Sequence, residues 1–263
     1  MPRDCIFCAQ KANSNEDAIP LWLSEMFRGP GTMEHQPGID KPTRTYAVTQ
    51  PKMPIKRVCK KCNNGWMSRL ESRAKPIIMR LLEATPARKC TLDIHECRTL
   101  ALWSAKTAMV HEAVNPPENW AFSELDRCLI YTKDQVPGST DVWLAPCANF
   151  ASTFGISRIL SNEGSPDRVG ITTLCYGCLA IQIRKMSVST TIPGAKVTIG
   201  EQPGPWPEVL LAIWPPAASS FCWPTEKGLD GEKGLEALAN RFSGPVPDPA
   251  ESVAYTGQFT NEA

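Results

Sequence analysis

The sequence has no run of the about 18 apolar residues that a bilayer-crossing helix needs. Its start, Met1 to Gln10, has no apolar stretch of the kind a secretory leader carries. A cytoplasmic protein with no membrane partner is therefore expected. Histidine is scarce, with three residues in 263, so imidazole chemistry is confined to His35, His95 and His111. The C-terminal part shows no Gly-rich phosphate loop, no Ser-His-Asp ordering and no dinucleotide fingerprint, which removes the commonest nucleotide-binding and acyl-transfer classes. There is no internal repeat beyond a recurring Cys-x-x-Cys. Cysteine itself is plentiful, but 11 is an odd number. Without a leader it argues for reduced thiols, some of them metal-bound, rather than a disulfide framework.

Net charge is also nearly lacking, at +1 for the whole chain, yet its distribution is uneven. Residues 41 to 89 hold 13 Lys or Arg against only Glu71 and Glu83, while the segments before and after carry net charges of −3 and −7. A basic stretch hidden in a neutral chain is the electrostatic footprint of a site for a phosphate backbone, though a solvated helix face gives the same count.

Composition divides the chain into three parts. Residues 1–87 contain two Cys-x-x-Cys pairs, many bases and few long apolar runs, so this part needs a staple besides its core. Residues 88–243 read as an α+β domain. It opens with one long helix over about 89–114, in which Ile94, Cys97, Ala101, Ala105 and Ala108 keep a helical period until Asn115-Pro116-Pro117 ends it. Short β-branched or aromatic runs follow at 129–132, 142–145, 171–183, 187–192, 196–199 and 209–214, predicting a mostly antiparallel sheet, with a bulge at Gly177 and a last helix over about 231–242. Residues 244–263 read as a flexible tail.

Cys5-Ile6-Phe7-Cys8 and Cys59-Lys60-Lys61-Cys62 lie 50 residues apart and together supply four thiolates, the set that suits tetrahedral structural zinc. Each pair offers two sulfurs on one tight turn, and Lys56, Arg57, Lys60 and Lys61 offset the negative charge of such a centre. A third pair, Cys175-Tyr176-Gly177-Cys178, sits in an apolar run without a fourth. It and the other scattered cysteines read as buried small hydrophobes.

Between the two pairs lies Glu16-Asp17-Ala18-Ile19-Pro20, and directly after the second comes Asn63-Asn64-Gly65-Trp66-Met67-Ser68. In these motifs the chain resembles the zinc-stapled HNH endonucleases of the ββα-metal superfamily. More closely it resembles a bacterial and phage group with Cys-Asn-Asn-Gly-Trp-Met-Ser after the second pair. The resemblance spans roughly residues 1–85. It implies two strands and a helix around one divalent ion, with Glu16 and Asn63 as candidate ligands for magnesium or manganese and Asp17 at the general-base position. There the family has His, whose pKa of about 6.5 suits proton abstraction near neutrality far better than an aspartate at about 3.9. Asp17 is then a second metal ligand, a desolvated base, or the mark of a centre that has lost its chemistry. The family's middle Asn is also missing, since Met53-Pro54-Ile55-Lys56 stands in its place. The plain alternative is that Asn63 or Asn64 caps the following helix and that Glu16 and Asp17 begin another.

After Gly65 a helix fits, with Leu70, Ala74, Ile77, Ile78, Leu81 and Leu82 on one face and a kink or fresh start at Pro76. Arg69 and Arg73, with Lys56, Arg57, Lys60 and Lys61, are the candidate phosphate contacts. His35 reads as a loop residue near enough to the site to replace the missing base. His95 and His111 read as surface or helix-end residues, and the Trp-Pro steps at 206, 214 and 223 as core. The leading expectation is an HNH-like metal-dependent endonuclease acting on nucleic acid, DNA rather than RNA. The alternatives are an inactive nucleic-acid-binding or regulatory module and a protein-binding zinc module that meets an acidic partner. Whether two copies pair as a homodimer is left open.

Overall fold

The computed structural model describes residues 4–36, 42–161, 167–187, 200–243 and 255–261. β1 (Glu16–Asp17) leads to α1 (Leu21–Met26), β2 (Gly31–Gln36), β3 (Arg44–Val48) and β4 (Pro54–Ile55). A short α2 (Lys60–Cys62) passes through a widened turn at Asn63–Met67 into α3 (Ser68–Glu83). β5 (Cys90–Asp93) opens α4 (Ile94–Glu112), and α5 (Glu124–Lys133) precedes four long strands. These are β6 (Thr140–Ala148), β7 (Thr153–Ser161), β8 (Arg168–Tyr176) and β9 (Leu179–Ser187). The remaining elements are β10 (Gly200–Glu201), α6 (Trp206–Val209), β11 (Leu211–Trp214), β12 (Ser220–Trp223), β13 (Leu229–Asp230), α7 (Gly231–Ala239), β14 (Phe242–Ser243) and β15 (Tyr255–Asn261). The chain is α+β, and none of its described helices is long and apolar enough to cross a membrane.

The main sheet runs β11-β6-β9-β8-β7-β15-β2-β3, with β13 beside β6. Side chains alternate across it as the pleat requires. Val142, Leu144, Leu174, Tyr176, Leu179, Ile181 and Ile183 face α4, whereas Ala145, Cys147, Cys175 and Ala180 face Leu235 and Leu238 of α7. Both faces are covered, so β8 and β9 are buried almost throughout. The α4 cluster also takes in Cys5, Phe7, Leu23, Leu70, Ile78 and Leu81, so one core runs continuously across residue 87.

The long helix occupies 94–112, started by a capping box in which Asp93 accepts from the Glu96 amide at 2.8 Å and Glu96 accepts from the Asp93 amide at 3.1 Å. It is wedged between α3 and the sheet, and every residue from Leu100 to Ala113 is buried. α3 runs as one helix through Pro76, with no fresh start there. The break lies earlier, at Gly65, whose φ of −98° and ψ of −106° are not helical.

Several expected elements differ. Residues 129–132 belong to α5, because Ser123 and Asp126 form a second capping box and Asp134 ends the helix at a φ of +49°. These local hydrogen bonds outweigh a short β-branched run. The single strand expected over 171–183 is a hairpin, with Tyr176 opposite Leu179 and Gly177 turning it at a φ of +56°. Residues 255–261, expected as part of the flexible tail, form a strand between β7 and β2. Backbone pairing on both sides satisfies its donors and acceptors, which requires little apolar content. Residues 188–192, 196–199 and 244–254 lie outside the described residues.

Candidate functional site

The first Cys-x-x-Cys sits in a tight loop closed by the Asp4–Lys11 bridge and by the Cys5 amide donating to the Gln10 carbonyl at 2.6 Å. Ala9 turns this loop in the left-handed region, at a φ of +56°. The Ile6 amide donates to the Arg57 carbonyl at 3.0 Å, the Ser14 amide to the Val58 carbonyl at 3.1 Å, and the Lys60 amide to Asn13 Oδ1 at 2.8 Å, which seats the second pair against the first. All four sulfurs, from Cys5, Cys8, Cys59 and Cys62, lie within 4.8 Å of one another, with those of Cys8 and Cys59 3.5 Å apart. The Cys62 thiol donates onto Cys5 and pushes the Cys5 pKa down to about 4, while Cys62 itself is held up by the same partnership. The indole of Trp66 acts on Cys62 in the opposite sense, favouring its thiolate. A converging set of four thiols can hold a metal ion, as the spacing led one to expect. Of the other seven cysteines, Cys97, Cys147 and Cys175 are buried as expected, Cys90 and Cys178 are half-buried, and Cys128 and Cys222 are exposed.

Above this cluster β1 and β4 pair antiparallel, Glu16 opposite Ile55 and Asp17 opposite Pro54, and the chain then enters α2 and α3. Glu16 and Asp17 are therefore strand residues and do not begin a helix. Glu16 is 6% exposed and faces the Lys106 ammonium at 3.9 Å. Lys106 stands 2.8 Å from Glu71 of α3. Burial pushes the Glu16 carboxyl up to about 7, against the opposing pull of Lys106. Asp17 is less enclosed. Burial raises its carboxyl, Lys52 and the Met53 amide hold it back, and its Oδ1 is buried with no hydrogen-bond partner among the described residues.

Asn63 donates through Nδ2 to Ser14 Oγ at 2.9 Å, and the residue capping α2 is Cys59, which accepts from the Cys62 amide. Glu16 thus turns toward Lys106 and Asn63 toward Ser14. Neither contact supports a magnesium or manganese ion held by Glu16 and Asn63. Among the described residues, the four cysteines are the group of His, Cys, Asp or Glu side chains close enough to share a metal.

Two residues of this region were missed or misplaced by sequence reasoning. Lys106 sits in the fully buried stretch of α4 and is 1% exposed. His111, expected near the surface, is also 1% exposed, and burial pushes its pKa down to about 4, with the Ala18 carbonyl accepting from it and Lys106 adding repulsion. A Cβ placed on Gly155 would come within 3.1 Å of His111 Cε1, so the sheet closes directly over the ring. The signal for both lies in the buried-all-round character of α4, which an amphipathic reading hides. His95 is exposed, as expected. His35 lies in β2, its backbone paired with Arg44 and Gly257, and so belongs to the sheet and not to a loop over the site.

The six candidate phosphate contacts separate into two kinds. Lys56, Lys60, Lys61 and Arg69 are exposed and take part in no ion pair among the described residues. Arg57 instead lies 5.3 Å over the Trp120 ring and donates to the Ala113 carbonyl. Arg73 is held by Asp134 through two bonds of 2.8 and 2.7 Å. Comparison of the chain with protein-family models, with curated proteins and with solved structures gives no match.

Proposed function

We propose that the protein binds nucleic acid through a zinc-stapled ββα module of the HNH endonuclease type, in which the buried cation beside Glu16 is a lysine ammonium. The observation that carries this reading is the exposed set Lys56, Lys60, Lys61 and Arg69, displayed around the four-cysteine cluster on the β4-to-α3 segment. Zinc on the four thiolates would fix the start of α2 against the first knuckle and hold these bases in one patch. Each phosphate that these side chains neutralise releases condensed counterions, so binding through the patch must weaken with salt.

Fluorescence anisotropy with labelled DNA and RNA tests it. Affinity should fall by orders of magnitude between about 50 and 200 mM salt, with a logarithmic slope near −4 for four phosphate contacts. Lys60→Ala with Lys61→Ala should reduce that slope by about 2. Salt-independent binding, or none, overturns the reading.

A second reading, hydrolysis of the phosphodiester bond, is favoured by Asp17, whose carboxyl is raised by burial and whose Oδ1 lacks a partner among the described residues. A carboxylate so placed is a stronger base than an exposed one. Incubation with plasmid and single-stranded DNA in magnesium, manganese or chelator decides it. Cleavage that disappears in Asp17→Ala supports an endonuclease, and binding without cleavage restricts the protein to recognition.

A further inference from the structure

A groove of about 670 Å³ runs between α3 and α5 on the side of the module that carries Trp66. That volume lies within the range of small-ligand sites. Trp66 and Tyr131 form part of its wall, with ring centroids 6.0 Å apart and planes inclined at 49°. Both rings are half-buried, so each keeps some surface open. Trp66 is braced from behind by Phe7 of the first knuckle, edge to face at 5.0 Å, which ties the aromatic wall to the cysteine cluster.

The charges along the groove are also specific. Arg69 and Lys133 are exposed and take part in no ion pair among the described residues. Arg73 and Asp134 neutralise each other within the lining, through a fork that holds α3 to the end of α5. The lining therefore keeps two cations beside two aromatic rings. This is the combination that holds an unpaired nucleotide, with phosphate against the bases and a nucleobase against an aromatic face. A duplex shields its base faces by stacking, so a groove of this kind distinguishes single strands from double strands.

We propose that the groove between α3 and α5 binds single-stranded nucleic acid, with Arg69 and Lys133 on consecutive phosphates and Trp66 with Tyr131 receiving a base. The inference rests on the nucleic-acid reading above and names its substrate class. It makes Tyr131 and Lys133 of α5 part of the interface, although neither lies in the basic segment of the sequence.

The test compares binding of a short labelled single strand and its duplex to the full chain and to Tyr131→Ala, Tyr131→Phe and Lys133→Ala, each checked for folding by thermal melting. The wild type should prefer the single strand. The ratio of single-strand to duplex affinity should fall about five- to tenfold in Tyr131→Ala and Lys133→Ala, and should be kept in Tyr131→Phe, which retains the ring. Lys133→Ala alone carries the test if Tyr131→Ala fails to fold. A ratio unchanged in the folded alanine variants, or a wild type that prefers duplex, overturns the groove and leaves the wider reading standing. A wild type that binds no oligonucleotide overturns both.

Discussion

Lys106 Nζ lies 2.8 Å from Glu71 Oε1, with the lysine side chain 2% exposed, so α4 presses a charged group against α3 inside the core. Glu16 reaches the same ammonium at 3.9 Å from β1. Two carboxylates and one ammonium would leave a net negative charge, and the Glu16 carboxyl, raised to about 7, relieves it by holding its proton near neutrality. The three elements that frame the candidate site are thus locked together by one buried cation.

Removing that cation should be costly. Lys106→Met leaves the half-buried Glu71 without its partner and should lower stability by about 1–3 kcal/mol, read as a shift in the urea midpoint. Adding Glu16→Gln and Glu71→Gln to the same chain should recover part of the loss. If the triple variant is no more stable than Lys106→Met, packing of the lysine stem and not its charge sets the effect.

Metal removal should act on the N-terminal segment. Elemental analysis should find one zinc per chain, and Cys62→Ser should lose it. Chelation should lower Tm and change the Trp66 environment, because metal-binding free energy is folding free energy for segments held by such a cluster. Re-addition of zinc should restore both signals.

His111 gives a pH dependence of defined sign. Its pKa is about 4 in the fold against an ordinary 6.5, so the unfolded chain binds the proton more readily. The stabilisation is therefore complete above about pH 6.5 and is lost as the pH falls toward 4, with a size of about 3 kcal/mol. Glu16, raised to about 7, has the opposite sign, so the His111 contribution is isolated by difference. The loss in urea midpoint between pH 7 and pH 4 should be smaller in His111→Gln than in the wild type.

Gly170 meets the side chain of Ala121 so closely that an added Cβ would fall 2.4 Å from the Ala121 Cβ. Gly170→Ala must therefore move the 121–122 segment, which the Glu112 carboxylate holds through the Ala121 and Phe122 amides. The expected cost is about 1–3 kcal/mol, seen as a lower Tm. An unchanged Tm would show that this segment yields freely.

Features written in local spacing were legible in the sequence. Two Cys-x-x-Cys pairs announce a converging thiol set because each pair turns on itself whatever surrounds it. The α+β class was legible for the same reason, since helical and strand periods are properties of short windows. The hairpin at Gly177 and the helix over Glu124–Lys133 were misread because a turn glycine and a capping box each decide an element through one or two backbone contacts. No apolar pattern records those contacts.

The sequence by itself determined the four-cysteine cluster, the α+β class and the concentration of bases between residues 41 and 89. Tertiary structure decided which of those bases remain free, because Asp134 and Trp120, which engage Arg73 and Arg57, come from 61 and 63 positions along the chain. It also decided that Glu16 turns to Lys106 and Asn63 to Ser14. A buried charge is fixed by whichever opposite charge the packing delivers to it, and that partner is a property of the assembled core.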